Sequence, residues 1–463
     1  MADSEAVIRL YKSEDKIHPR SVRGRFTNLR WALVALTQLV FYGLPWLTWG
    51  DRPAVLFDLA ARRFYVFGFV LYPQDFVYLT ALLLMSAYGL FLFTAVAGRV
   101  WCGYACPQTV YTELFVLIER WFEGDRNARL KLDKAPWSLN KLWRKGGKQA
   151  AWVALALFTG FSFVGYFTPI RELMSFSFGP WEAFWVLFYG FATYGNAGFM
   201  REQVCKYMCP YARFQSAMFD RDTLIVSYDP ARGEPRGHNA LRNKKSEARS
   251  QAVGDCIDCG LCVQVCPTGI DIRNGLQYEC ISCAACIDVC DGVMDKMGTP
   301  HGLIRYDTEN GMARQLTRAQ RWRRIFRPRV LIYGGLLLVL SSGVLWSLAN
   351  RHAFRVDVVR DRATLARQVE DGWIENVYRL QLMNATEAPQ QLKVEADGLP
   401  GLRLSQAASV TLGPAEARWV TVALRLPPEA AQDLKPGAQP MRWLVRSASG
   451  ESVTEKSTFV VPR

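Results

Sequence analysis

Five stretches of the chain run apolar for about 20 residues with almost no charge inside them: 31–50, 76–97, 150–170, 181–200 and 330–349. A helix of that length spans roughly 30 Å of hydrocarbon, and a Lys or Asp at its middle would cost roughly 2.5–3.5 kcal/mol on insertion scales. One such run alone reads equally well as a buried core helix; five together predict a polytopic membrane protein. After the fifth run the pattern changes from continuous to alternating. FRVDVV, NVYRLQLMN, QQLKVEA, ASVTLG, RWVTVALRL, MRWLVRS and STFVV alternate apolar and polar positions, with turn-rich pieces such as DGLPG and GPAEA between them. Seven such strands over about 110 residues predict an immunoglobulin-like sandwich, here without a disulfide, of a kind that commonly binds partners. Two shorter patterns follow prolines. PQTVYTELFVLIERWF from Pro107 reads as an amphipathic helix at the membrane interface, and PYARFQSAMF from Pro210 as a shorter helix, each proline suiting a first turn. Between 229 and 254 the basic segment DPARGEPRGHNALRNKKSEARSQAVG has no period and reads as a poorly structured linker.

The 463 residues carry a net charge of +14, are half hydrophobic and include 15 Trp. That charge is not spread as a nucleic-acid surface would be, because it flanks the apolar runs. Arg9, Lys12, Lys16, Arg20, Arg23, Arg25 and Arg30 precede the first, and Arg120, Arg126, Arg129, Lys131, Lys134, Lys141, Arg144, Lys145 and Lys148 follow the second. The loop after the first run has Arg52, Arg62 and Arg63, and the one after the third has Arg171. By the positive-inside rule the N-terminus lies inside and the C-terminus outside. The first apolar run begins too late and is too long for a cleavable signal peptide. The expected domains are an inner N-terminal segment (1–30), a four-helix membrane domain (31–200), an inner cluster-binding domain (201–329), a fifth span (330–349) and an outer sandwich (350–463).

All 12 cysteines precede residue 291, and the segment placed outside has none. This argues for thiolate ligands in a reducing compartment and against a disulfide framework. Cys256, Cys259, Cys262 and Cys266 stand at C-x2-C-x2-C-x3-C-P, and Cys280, Cys283, Cys286 and Cys290 repeat the spacing. This is the bacterial dicluster ferredoxin pattern, in which the distal cysteine of each run serves the other cluster. One 4Fe-4S cluster should take Cys256, Cys259, Cys262 and Cys290, and the other Cys280, Cys283, Cys286 and Cys266. Zinc is the competing ligand, but it favours two separated C-x2-C knuckles over tandem runs of four. Gly260 and Pro267 fit tight wrapping of the backbone; the second run has Asp291 where proline is usual. The four histidines, His18, His238, His301 and His352, all lie outside the spans, which excludes a membrane haem b held by two of them. No G-x-G-x-x-G after a strand suggests a flavin or nicotinamide site.

The other four cysteines form two motifs, WCGYACP at 101–107 and VCKYMCP at 204–210, both C-x-Y-x-C-P at the inner ends of spans two and four. Spans one and two therefore look like a repeat of spans three and four. Cys106 and Cys209 would sit at helix N-termini, where the dipole should lower a thiol pKa. Cys102, Cys106, Cys205 and Cys209 are the candidate catalytic and metal-binding residues, and three readings stand: inert cysteines, a third iron–sulfur cluster, or a soft-metal redox site for copper, with Met208 or Met200 nearby. Glu172 and Glu182, near the outer face, could serve a cation or a quinol, but solvation of a loop is the better account of them.

With both kinds of motif in hand, the chain resembles the FixG/RdxA family of cytochrome c oxidase accessory proteins. GRVWCGYACPQTVYTELF, EGDRNARLKLDKAPWSLNKL, FVGYFTPIREL, CKYMCPYARFQ and CIDVCDGVMDKMG carry the resemblance, which covers nearly the whole length and accommodates Asp291. The resemblance implies a bacterial inner-membrane protein that acts with oxidase assembly factors, reducing copper(II) to copper(I) for the binuclear centre of a cbb-type oxidase. Membrane lipid and copper ions are then its expected partners; the electron donor and any homo-oligomer are left open. An electron-relay subunit linked to quinol or ferredoxin is the alternative function, and a structural scaffold without turnover a third. An outer sandwich suits docking to an assembly client and has no evident use in a pure relay.

Overall fold

The computed structural model describes residues 16–175, 179–237, 254–361, 366–406 and 408–462. Arg9, Lys12, His238 and residues 238–253 of the expected linker lie outside them. Two compact units are formed, one drawn from Met1–Leu44, Leu83–Gly165 and Ile170–Val339, the other from Pro45–Leu82, Tyr166–Pro169 and Leu340–Arg463.

Each predicted span falls largely on a helix, although 31–50 leaves its helix at Gly43 and ends in the strand Thr48–Trp49; among the described residues two, Pro73–Ala97 and Pro328–Ala349, are single helices long and apolar enough to cross a membrane. The remaining three depart from the simple pattern. Arg25–Gly43 takes in Arg25, Asn28 and Arg30 in its first turns. Leu139–Val164 starts well before the apolar run and includes Lys141, Arg144, Lys145 and Lys148. Pro180–Thr193 has 14 residues and continues as a π-helical stretch, Tyr194–Met200. In the first two the backbone hydrogen-bond ladder begins before the point where hydropathy changes, because cooperative helix growth follows the ladder as well as side-chain polarity.

The first unit holds the ferredoxin-like part. Its frame is a hairpin pairing Ile225–Tyr228 with Ile304–Asp307, the turn Leu261–Gln264 and the helix Ala285–Met297. That helix caps another one. Asp288 accepts from the backbone N–H of Phe26 (3.1 Å) and Thr27 (2.7 Å) and from the Thr27 hydroxyl (2.7 Å), satisfying free donors at the start of Arg25–Gly43.

The second unit is the expected sandwich. One sheet runs Arg403–Leu404, Ala417–Leu426, Ile374–Asn384, Phe354–Arg360, and the other Ala408–Leu412, Gln390–Asp397, Gly437–Ser447, Ser452–Val461. All pairs are antiparallel. Trp443 meets the Tyr378 ring edge-on at 5.2 Å in a core with Phe354 and Phe459. The loop after the first span proves to be structured: Val55–Asp58, Arg63–Val66 and Phe69–Leu71 form a small sheet. Its Leu56, Tyr65, Val70 and Tyr72 share a core with Met383, Ala385 and Ala415.

Candidate redox site of twelve cysteines

Both ferredoxin runs turn through the same backbone. The residues before and after the second cysteine have positive φ in each: Asp258 and Gly260 in the first run, Ser282 and Ala284 in the second. This curls each run around a hollow. Cys256, Cys259, Cys262 and Cys290 line one; Cys266, Cys280, Cys283 and Cys286 line another, with Cys262 at its margin. The distal cysteine of each run thus joins the three of the other. Burial pushes the thiols of Cys280 and Cys290 up to about 12 and that of Cys262 to about 11, so metal charge is needed to hold thiolates there. Among the described residues no three Cys, His, Asp or Glu side chains converge on a single-ion position. Sulfurs held apart around a hollow suit a cubane, whose irons each take one, better than a zinc ion.

The paired C-x-Y-x-C-P motifs share a construction too. Four residues before the first cysteine of each stands a residue of positive φ, Gly98 (54°) and Arg201 (40°). At Gly98 a Cβ would lie 2.6 Å from the Leu224 carbonyl oxygen. Cys102 then lies in the turn Val100–Tyr104 and Cys106 caps Pro107–Glu123; Cys205 lies in the π-helical stretch Val204–Met208 and Cys209 caps Pro210–Met218. The predicted helices therefore form, with the prolines in their first turns. Across the repeat, the Cys102 thiol donates to Gln215 Oε1 (3.3 Å), and Gln108 Nε2 donates to the carbonyls of Asn196 (2.9 Å) and Arg201 (3.0 Å).

The four thiols lie near enough to raise one another's pKa, without three of them converging on a single-ion position. Burial, then the neighbouring Cys106, Cys102 and Cys209, pushes Cys205 up to about 12, and burial followed by Cys106 pushes Cys102 to about 11. The expected lowering at Cys106 does not occur: burial raises its thiol and outweighs the N–H groups of Gln108 and Thr109 at the helix start. Met208 is 56% exposed, and Met200 ends the π-helical stretch. Glu172 is exposed, in keeping with solvation. No histidine joins a metal position among the described residues; His18, His301 and His352 pair with Asp133, Asp295 and Glu451.

The thiol loop and the second ferredoxin run touch. A Cβ on Gly103 would lie 2.6 Å from the Ile281 carbonyl oxygen and 2.8 Å from Cys283 Cα, so only a bare backbone fits. Cys102 packs in one apolar cluster with Ile281, Cys283 and Cys286, and the Tyr104 and Tyr306 hydroxyls meet at 3.3 Å while Tyr306 also donates to the Ser282 carbonyl. Several residues here are invisible in the motif reading. Arg99 donates to the carbonyls of Tyr278 and Ala212. Glu119, fully buried, pairs with Arg129 (2.8 Å) and Arg201 (2.7 Å). Their one sequence signal, charge beside an apolar run, is also that of a solvated membrane flank.

This geometry has relatives. Residues 200–309 match the family described as 4Fe-4S dicluster domain, 79–125 a 4Fe-4S binding domain, and 344–462 the IG-like fold at the C-terminal of FixG. Two 4Fe-4S binding domains are thus present, followed by an immunoglobulin-like all-β region. The chain is 40% identical over 462 residues to nitrogen fixation protein FixG of Rhizobium meliloti (strain 1021), covering 92% of this chain and 86% of the relative. It is 40% identical over 441 residues to protein RdxA of Cereibacter sphaeroides, covering 92% of each. Protein RdxB of the same organism is 42% identical over 408 residues, covering 86% of this chain and 85% of RdxB. With relatives at 40% identity over 92% of its length, the chain belongs to the FixG family.

Proposed function

We propose that this protein is a membrane iron–sulfur oxidoreductase that reduces copper(II) to copper(I) at Cys102, Cys106, Cys205 and Cys209, serving assembly of a cbb-type cytochrome c oxidase. The observation that carries this reading is the seat of Gly103 on Ile281 and Cys283, which leaves no side chain between the thiol loop and a cluster-binding loop. When bound, two cubanes supply one-electron transfer. Copper(II) takes one electron, and thiolates favour the softer copper(I) that results. Tyr104, Gln108 and Gln215 hold the thiol loops in register.

The setting in this reading is a bacterial inner membrane, with five spans, the N-terminus and the ferredoxin cysteines in the cytoplasm and residues 350–463 in the periplasm. The distribution of Arg and Lys supports that orientation. The helix beginning at Pro180 exposes Trp181, Phe184, Trp185, Leu187, Phe188 and Phe191, a surface suited to lipid. The periplasmic sandwich would then meet oxidase assembly factors.

A second reading, an electron-relay subunit with a third cluster at the four thiols, is favoured by two observations. The 4Fe-4S binding domain match at 79–125 includes Cys102 and Cys106, and no single-ion position forms among the described residues. Iron and copper analysis of anaerobically purified protein separates the readings: about eight irons per chain fit two cubanes and about twelve fit three. Copper(II) should reoxidise the reduced EPR signals with copper(I) appearing. Changing all four thiols to serine should slow this at least about tenfold with the ferredoxin signals intact, roughly what removal of a metal's support costs; unchanged reduction would place the reaction elsewhere.

A further inference from the structure

We propose that Arg99 is the counter-ion of the metal–thiolate centre formed by Cys102, Cys106, Cys205 and Cys209. This rests on the reading of those thiols as a metal site, whichever of copper or a cluster they hold.

Arg99 is 2% exposed. Its two terminal nitrogens donate to the carbonyls of Tyr278, two residues before Cys280, and Ala212, three residues after Cys209. These are dipoles and not charges. No carboxylate among the described residues pairs with Arg99, although other buried arginines of the same unit have one: Arg30 has Glu113, and Arg129 and Arg201 have Glu119. A buried guanidinium without a counter-charge is costly, so its anion should come from the site it faces. Arg99 stands three residues before Cys102, and Ala212, which accepts from it, lies one helical turn before Gln215, which accepts from the Cys102 thiol at 3.3 Å, so the guanidinium is fixed between the two thiol motifs.

Neutral thiols offer no compensation. Four thiolates around copper(I) or around a cubane carry net negative charge, so Arg99 gains its partner when the centre is loaded and stabilises the more negative, reduced state most. Tyr278 and Ala212 explain why this cation is fixed there: the same side chain ties the cluster loop to the helix of the second motif.

The test uses full-length protein in detergent under anaerobic conditions, comparing wild type with Arg99→Lys and Arg99→Gln. Both variants shorten the side chain and keep one donor; only Lys keeps the charge. Copper(I) affinity is read by competition with a chromogenic chelator, with the ferredoxin EPR signals as a check of folding. Arg99→Gln should weaken copper(I) binding at least about tenfold, the effect of losing an outer-shell partner, while Arg99→Lys stays near wild type. Equal loss in both variants, or no loss in Arg99→Gln, would overturn the counter-ion role. If wild type carries a third cluster instead of copper, its midpoint potential should fall in Arg99→Gln and hold in Arg99→Lys, and an unmoved potential overturns the proposal. A wild-type protein that takes up no copper(I) in the competition and carries no additional iron refutes the metal-site reading itself, and the counter-ion role with it. Loss of the ferredoxin signals in both variants would make Arg99 a backbone tie only.

Discussion

Two glycines of the redox site stand where they do for different physical reasons, and substitution separates them. Gly260 has φ 65° with nothing within 4 Å of an added Cβ, so Gly260→Ala costs only the left-handed backbone, about 1–2 kcal/mol. Ala284 already adopts that conformation (φ 60°) at the equivalent place in the second run, so the first run should tolerate it as well. Gly103 faces backbone atoms that cannot swing aside, the Ile281 carbonyl at 2.6 Å and Cys283 Cα at 2.8 Å. Gly103→Ala must therefore push the thiol loop off the cluster loop. The expected result is normal iron content in both variants, with copper-driven reoxidation of the ferredoxin EPR signal slowed by about tenfold or more in Gly103→Ala alone, as when a support around a metal site is lost. Equal rates in the two would mean that electrons do not cross this contact. In C-x-Y-x-C-P the glycine occupies an unassigned position, and its role depends on a loop some 180 residues away, beyond the reach of any local pattern.

At the level of elements, the helix Pro107–Glu123 joins the thiol motif to the rest of the first unit through charge buried on its inner face. Burial pushes the Glu119 carboxyl up, and Arg201, Lys16 and Arg129 more than reverse this, leaving it at about 2. Arg201 is held in turn at a positive φ, stacked over Trp152 with its guanidinium 5.5 Å from the ring centre. A carboxyl depressed on folding stabilises the protein fully above its unfolded pKa, near 4.5, and that contribution is lost as the pH falls from about 4.5 through about 2. The amount is about 3 kcal/mol. Glu119→Gln should lower stability at pH 7 by about 3–5 kcal/mol, because it leaves buried arginines without their charge. It should also flatten the decline between pH 4.5 and 3 seen by chemical denaturation; an undiminished decline would assign the acid sensitivity to other carboxylates. The helix itself was legible from its 3.6-residue period. Its buried face was not, because Glu119 and Glu123 read as polar positions and their cations come from Lys16, Arg129, Lys148 and Arg201, spread along the chain.

Across the whole molecule, what could be read was what repeats at short range. The seven strands of the sandwich alternate, and all seven form; the cysteine spacings are local, and the two hollows follow them. The small sheet at 55–71 stayed hidden because VLFD, RFYV and FVL are too short to show alternation and gain their core only from Met383, Ala385 and Ala415. Apolar runs located the helices but not their ends. The second unit is consequently a non-local assembly, and its stability should depend on the few contacts that join its distant stretches. Tyr72 donates to the carbonyls of Asn384 (2.8 Å) and Ala415 (3.1 Å), and the Phe57 N–H donates to the Tyr166 carbonyl (2.7 Å). Asp75, 3% exposed, meets Arg351 at 2.7 Å and Arg355 at 2.5 Å. Asp75→Asn keeps the shape but leaves the Arg351 side chain, 8% exposed, facing a neutral amide, a loss of about 3–5 kcal/mol for a broken buried pair. Scanning calorimetry should show the sandwich transition moving down by several degrees, while the visible absorbance of the iron–sulfur part keeps its wild-type midpoint. If the absorbance midpoint fell with it, the two units would unfold as one, and Asp75 would be a support of the redox site as well as of the sandwich.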